Sequence, residues 1–154
     1  EMGASVTVFD INKAKADAAK EMGFEFVDAA DEARKWSMSE QFDVIIDTVP
    51  AVHDPNAYIN MLKTHGRMHF LGLPTQPLPV HTPLVLMRNR ILTGSAVGSV
   101  SDHIEALQFC ADHKIFPEVV MIRADEVNAA IDKLRNSTGE FRYVIDMSTL
   151  KADK

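Results

Sequence analysis

The chain reads as an α/β protein built on a parallel sheet, and three observations predict it. Short runs rich in β-branched and aromatic residues alternate, from one end to the other, with longer runs of helical apolar period. One of the short runs, Phe42–Asp43–Val44–Ile45–Ile46–Asp47–Thr48, is nearly continuous in apolar residues, as a strand covered on both faces would be. The helix-like runs carry start and stop residues at their ends. Strand and helix in alternation imply right-handed crossovers, one parallel sheet and helices on both of its faces.

Each element has its own justification. Ser5–Asp10 alternates β-branched and aromatic side chains and predicts the first strand. Gly3 just ahead of it has the character of a helix stop, and the start Glu1–Met2–Gly3 leads to the expectation that the chain is a piece of something longer. Asn12 is placed to cap a helix over Lys13 to Met22, with Gly23 closing it. Phe24 to Asp28 is a short second strand, and Ala29 to Met38 a polar helix with Trp36 on its apolar side. After the Phe42 strand, Asp54–Pro55 puts a cap before a proline at the first helical position. The inner stripe of that helix is Tyr58, Met61 and Leu62, and Gly66 is its expected end.

Arg67 to Gly72 is the next strand. Four of the seven prolines, at 74, 77, 79 and 83, then demand an extended connection. Thr82–Pro83 opens a short helix to about Asn89, and Arg90 to Ser95 is a strand running into Gly94–Ser95–Ala96–Val97–Gly98. Ser101 caps a helix to His113 with Ile104, Leu107 and Ala111 inward. Glu118 to Ile122 is a strand. Asp125 caps a helix to about Asn136 with Val127, Ala130, Ile131 and Leu134 inward. Phe141 to Met147 is the final strand, with a frayed tail expected after Leu150.

Composition excludes several function classes. Lys and Arg number 16 against 22 Asp and Glu, a net charge of −6, and there is no basic run. Neither nucleic acid nor an anionic membrane surface is an expected partner. No apolar run approaches the roughly 18 residues of a membrane span. The segment Glu1 to Val8 lacks the basic start and apolar stretch of a signal peptide, so a cytoplasmic setting is expected. The single cysteine, Cys110, rules out an internal disulfide and a zinc cluster of cysteines alone. The histidines, at 53, 65, 69, 81, 103 and 113, show no helix-borne metal pair, and His65 and His113 suit helix C-termini. No metal site is expected from this chain alone. The eight methionines read as packing.

Ligands of parallel sheets bind beyond the carboxyl ends of the strands. The expected ends are Asp10, Asp28, Thr48, Gly72 and Ser95. Asp10 is the informative one. An acid ending the second strand of a dinucleotide-binding sheet accepts hydrogen bonds from the adenosine ribose and repels a 2′-phosphate, selecting NAD over NADP. A solvated acid, or one competing with Asn12 for the helix cap, is the plainer alternative. The glycine fingerprint of such a fold precedes that acid by about 20 residues, and only nine residues precede Asp10 here. Thr48–Val49–Pro50 and Gly72–Leu73–Pro74 are places where backbone could approach a ligand, or ordinary turns. Asp43 and Asp47 mark the ends of the Phe42 strand rather than an acid–base pair.

Asp47–Thr48–Val49–Pro50–Ala51–Val52–His53 resembles the D-T-V-x-A-x-H of zinc-dependent medium-chain alcohol dehydrogenases, closest to their cinnamyl-alcohol-dehydrogenase-like branch. His65 to Pro74 resembles the H-G-[KR] strand of the same enzymes, which ends in G-[AL]-P, and Gly94 to Gly98 resembles their G-S-x-I-G. Phe109 to His113, Met121 to Asp125 and Phe141 to Asp146 resemble the closing part of the family in order and spacing. The likeness covers essentially the whole chain.

The resemblance implies a Rossmann-like parallel sheet lacking its first strand and glycine loop, plus a short C-terminal return segment. It implies a partial NAD(P)-binding domain over residues 1–113 and a segment of the catalytic domain over 114–154. Asp10 falls where the family contacts the adenosine ribose. Many members have Ser or Thr there and prefer NADP, so Asp10 points to NAD with NADP possible. Lys15 matches a lysine of this stretch. Thr48 and Val49 match residues lining the cofactor cleft. Leu71, Gly72 and Leu73, with Ser95, Ala96 and Val97, match backbone groups holding the nicotinamide amide, and Arg142 matches an arginine reaching the pyrophosphate. The family's zinc ligands, proton relay and glycine loop have no counterpart in the chain, so no catalytic or metal-binding residue is assigned and zinc is not expected to be bound.

The implied enzyme moves hydride between NAD(P)H and an alcohol/aldehyde pair, this chain supplying the nucleotide cleft and inactive alone. A truncated binding or dimerisation module is the alternative, and a zinc-free quinone reductase relative a third reading. In the strand order 3-2-1-4-5-6 the absent strand is central. Its absence leaves edges beside the first strand and the Phe42 strand. The expectation is that the edges pair directly or that a strand is exchanged in a homodimer.

Overall fold

The structure, a computed structural model, describes residues 1–136 and 142–150. The chain divides into two compact units between Ser99 and Val100.

In the first unit, strand β1 (Thr7–Asp10) is followed by a 3₁₀ turn, Lys13–Lys15, and helix α1 (Ala16–Glu21). The Asn12 side chain accepts from the Ala14 amide at 3.1 Å, as a cap should, and Gly23 closes the helix at φ +79°. Strand β2 (Glu25–Asp28) leads to helix α2 (Glu32–Ser37), capped by Asp31 through the Arg34 amide at 2.8 Å. Strand β3 (Phe42–Asp47), helix α3 (Asn56–Met61), strand β4 (Leu62–Phe70), helix α4 (Thr82–Leu86) and strand β5 (Ile91–Gly94) complete it. The second unit holds helix α5 (Val100–Asp112), strand β6 (Val120–Arg123), helix α6 (Val127–Arg135) and strand β7 (Tyr143–Asp146). Phe141, the expected start of the last strand, and the tail beyond Leu150 lie outside the described residues. No helix among the described residues is long and apolar enough to cross a membrane.

Every strand pairing is parallel, as the alternation requires. The single sheet is not formed. The described strands make three sheets, β1-β2, β3-β4-β5 and β6-β7. Of the two expected ways to close the gap, direct pairing of β1 with β3 or a strand exchanged between chains, the first is not formed. Sheet neighbours must lie about 4.8 Å apart to share hydrogen bonds, and β1 and β3 are joined through side chains instead. The Phe9 ring meets Phe42 edge-on at 5.9 Å and Tyr58 at 5.6 Å.

The buried core centres on α3. Met61 packs with Val27 and Met38, while Ile59 packs with Leu62 and Met68; Ile45 and Tyr58 border both groups. The expected inner stripe of this helix is borne out at Met61 and Leu62. Its expected end is not. The helix stops at Met61 and the chain turns at His65, which has φ +62° and donates its amide to the Arg88 carbonyl at 2.9 Å. His65 thus lies in the irregular start of β4, not at a helix C-terminus. Gly66 follows in tight quarters, where a Cβ would meet the Lys63 carbonyl at 3.0 Å. His113 does follow a helix, its Nδ1 lying 2.9 Å from the Phe109 carbonyl oxygen.

Three burial expectations fail. β3 was expected to be covered on both faces, yet Val44 and Ile46 are 52% and 62% exposed. They share one face of the pleat, and only the opposite face, with Ile45, meets the α3 core. Ile104, Leu107 and Ala111 of α5 are exposed, as are Ile131 and Leu134 of α6; only Ala130 of the expected stripes is buried. An apolar stripe becomes core only when another layer covers it. Of the eight methionines, Met38, Met61 and Met68 are buried and the rest are exposed.

Arg90, 6% exposed, is one of two buried cations described in this unit, the other being Lys35 at 5%. Its guanidinium donates to three backbone carbonyls: Leu62 at 2.8 Å, Leu84 at 2.8 Å and Asn60 at 3.0 Å. It thereby ties the end of α3, the start of β4 and α4 to β5. Burial draws its pKa down from the usual arginine value, but a guanidinium stays charged in proteins. Arg90→Met keeps the aliphatic stem and leaves the carbonyls without that donor. The expected cost is about 3 kcal/mol, read as a lower urea midpoint of the 154-residue chain; a loss under about 1 kcal/mol would show the guanidinium to be idle.

Candidate functional site

Parallel register aligns the strand ends. Asp10 lies beside Asp28, Asp47 beside Phe70, and Phe70 beside Gly94. The residues that follow β3, β4 and β5 are Thr48–Val49, Leu71–Gly72–Leu73 and Ser95–Ala96–Val97, so these sequence-predicted residues share one rim. The Leu71 and Gly72 amides donate to the Asp47 carbonyl at 2.7 and 3.1 Å, and the Ser95 amide to the Phe70 carbonyl at 3.2 Å. Each segment is thus stitched to the neighbouring strand end. The side chains of Thr48, Val49, Leu71, Leu73, Ser95, Ala96 and Val97 are exposed.

Gly72 is where two rim segments meet. A Cβ there would sit 2.1 Å from the Val49 carbonyl oxygen and 2.5 Å from its carbonyl carbon. Only glycine permits this approach, because the obstacle is backbone and cannot rotate away.

Asp47 joins the same segments through its side chain. It is 8% exposed. One carboxylate oxygen accepts from the Val49 amide at 3.0 Å, and the other lies 3.0 Å from His53 Nε2. The His53 Nδ1 is 3.0 Å from the Ala51 carbonyl oxygen, and its ring meets Tyr58 edge-on at 6.4 Å. The Lys35 ammonium, on a residue 5% exposed, lies 5.0 Å from the centre of the Tyr58 ring and 2.6 Å from Glu32. Burial pushes the Tyr58 phenol up from its ordinary pKa against the pull of Lys35. Sequence reasoning placed Asp47 at a strand end but missed its tie to His53. The available signal was the aspartate and histidine at the two ends of one seven-residue motif.

Asp10 and Lys15 are brought together. Lys15 Nζ is 2.8 Å from Asp10 Oδ2, and the Asn12 amide donates to Oδ1 at 2.8 Å. The acid at the end of β1 is therefore already paired, and Asn12, not Asp10, caps the following turn. Burial opposes ionisation of Asp10, but the Lys15 hydrogen bond, the Asn12 amide and the Lys15 charge outweigh it and hold the carboxyl below the usual range. Lys13 does the same for Asp28, with an Nζ–Oδ2 distance of 2.8 Å.

Arg142 belongs to the second unit. Its carbonyl accepts from the Val120 amide at 2.8 Å at the start of the β6-β7 pairing, and its side chain is exposed. Among the described residues no group of three or more His, Cys, Asp or Glu side chains is arranged to hold a metal ion.

Two outcomes follow from this geometry. Gly72→Ala forces the Val49 and Gly72 backbones apart, at about 1–3 kcal/mol. The melting midpoint should fall by about 4–8 °C; an unchanged midpoint would mean the two segments part freely. The second outcome concerns acid. Depressed carboxylate pKa values favour the ionised groups in the folded state, so their contribution is present at neutral pH. It is lost as pH falls below the unfolded value near 3.8. The melting midpoint should hold from pH 7 to about 5 and drop below about 4, and Asp10→Asn should flatten that drop. An equally steep drop in the variant would remove Asp10 from the account.

Comparison with known proteins places this rim in context. Residues 1–112 match the family model described as "Zinc-binding dehydrogenase". The chain is 30% identical over 154 residues to cinnamyl alcohol dehydrogenase 5 of Arabidopsis thaliana, covering 99% of this chain and 43% of that protein. A cinnamyl alcohol dehydrogenase structure from Sorghum bicolor superposes with a TM-score of 0.92 at 30% identity, over 99% of this chain and 44% of that one. The Helicobacter pylori enzyme complexed with NADP(H) gives 0.83 at 31% identity, over 96% of this chain and 42% of that one. The chain thus spans well under half the length of the proteins it matches, with the Rossmann-like arrangement of their nucleotide-binding half. By a family match across most of its residues, this chain belongs to the zinc-binding dehydrogenases.

Proposed function

We propose that this chain forms the nucleotide-binding part of an NAD(P)-dependent alcohol dehydrogenase or aldehyde reductase and does not catalyse alone. The observation that carries the reading is the aligned rim of parallel strand ends, with an acid ending β1. Ligands of open parallel sheets sit beyond such ends. Residues 1–113 are the nucleotide domain in this reading, and 114–154 belong to the catalytic domain. The chain works in the cytoplasm as a homodimer.

A bound nicotinamide supplies or accepts the hydride. Asp10 accepts hydrogen bonds from the adenosine ribose hydroxyls, and Thr48 and Val49 line the cleft. Backbone groups of Leu71, Gly72 and Leu73, with those of Ser95, Ala96 and Val97, hold the carboxamide. Arg142 is the proposed pyrophosphate ligand of the second segment. The described residues offer no donor set for the metal in the family's name.

The charge at Asp10 favours NAD. Its pairing with Lys15 at 2.8 Å moderates that preference, because the ammonium offsets repulsion of a 2′-phosphate. NADPH is therefore a weaker ligand rather than an excluded one. A second reading, a dimerisation module without catalysis, is favoured by the exposed Val44 and Ile46 beside the unjoined edge of β3.

Titration of the 154-residue chain with NADH and with NADPH tests both. NADH should bind about tenfold more tightly, about 1.4 kcal/mol, and Asp10→Ser should erase the difference. Equal binding by the unsubstituted chain would remove the role of Asp10. No binding of either nucleotide would put the second reading first.

A further inference from the structure

We propose that His53 is a positioning residue that, through Asp47, locks the Thr48–Val49 and Leu71–Gly72 backbones into one rigid rim. The inference rests on the reading that this rim receives the nucleotide, and it adds residues to which that reading assigns no part.

Four contacts converge on Asp47. Its carboxylate takes the Val49 amide and faces the His53 ring, and its carbonyl takes the amides of Leu71 and Gly72. The loop from Thr48 to His53 is closed at both ends by this one residue. The loop then bears directly on the neighbouring segment, since Gly72 lies against the Val49 backbone with no room for a Cβ. A shift of Asp47 therefore moves both segments together.

What keeps Asp47 in place is His53. Its side chain is 19% exposed and held on three sides: Asp47 at Nε2, the Ala51 carbonyl at Nδ1 and the Tyr58 ring in an edge-to-face contact. Both ring nitrogens face oxygen acceptors, each at 3.0 Å. A buried carboxylate deprived of one strong donor reorients toward water. Here that motion would release the Val49 amide and, with it, the contact on Gly72. The ring is turned toward Asp47, Ala51 and Tyr58, so it acts through Asp47 and not by touching a ligand at the rim.

The test uses the whole chain with two variants and two readouts. His53→Phe keeps a ring against Tyr58 and cannot donate. His53→Gln keeps an amide donor for Asp47. Amide hydrogen exchange should be about tenfold faster at Val49, Leu71 and Gly72 in the Phe variant, with the β1-β2 amides unchanged, and restored in the Gln variant. NADH affinity should follow, about tenfold weaker in Phe and recovered in Gln.

Faster exchange at Val49 alone, with Leu71 and Gly72 unmoved, would overturn the clamp. So would unchanged NADH affinity in the Phe variant of a chain that binds NADH. If the unsubstituted chain binds no NADH but the three amides still respond together, the nucleotide reading fails and the clamp stands. Should the Phe variant not fold, the unsubstituted chain decides. Its Val49, Leu71 and Gly72 amides must open at a common rate, and a Val49 amide opening far more readily than the other two would overturn the proposal.

Discussion

The rim depends on a buried carboxylate. Asp47 ends a strand, and a strand end is where backbone amides and carbonyls lose their ladder partners. Its side chain and carbonyl collect the amides of Val49, Leu71 and Gly72. Hydrogen bonds are worth about 0.5–1.5 kcal/mol each, and more when the acceptor is charged, so one residue fixes two loops. Burying that carboxylate is tolerable because the Val49 amide and His53 Nε2 each lie 3.0 Å from one of its oxygens. The rest of the site inherits its geometry from there: Gly72 packs on Val49, and the rim residues after β3, β4 and β5 stand in one row.

The second constraint is the break between β1 and β3. Where a sheet is interrupted, side chains must hold the parts together, and Phe9, Phe42 and Tyr58 do so with edge-on ring contacts. Such pairs add about 0.5–1.5 kcal/mol beyond their burial, less than a ladder of backbone bonds provides. The unit is reinforced elsewhere. Arg90 gathers three carbonyls, from the end of α3, the start of β4 and the middle of α4, and Ile45 and Tyr58 bridge both groups of buried residues. Val44 and Ile46 remain exposed, although their composition reads as core, because they lie on the face of β3 away from the α3 core.

Much of the fold was legible because its signals are local. Asn12, Gly23 and the Thr82–Pro83 pair punctuate helices through their own backbone preferences. The parallel pairing followed from strand–helix alternation. The site was legible to the level of strand ends, since Thr48, Gly72 and Ser95 do follow the ends of adjacent strands. The stripes of α5 and α6 misled, because periodicity reports which face is apolar and not whether another layer covers it. Gly66 misled as a helix stop because the left-handed turn is made by His65 just before it.

The sequence by itself determined the class of fold, the order of its elements and the family, since these reside in residue patterns that survive without knowledge of contacts. Only the tertiary structure decided that Asp10 is paired with Lys15, that Asp47 and His53 form one unit, and that Arg90 is buried against three carbonyls. It also decided that the strands form three sheets rather than one. These are matters of distance between groups far apart or differently turned along the chain. A charge, a ring or a strand edge acquires its role from the partner within reach, and reach is set by folding.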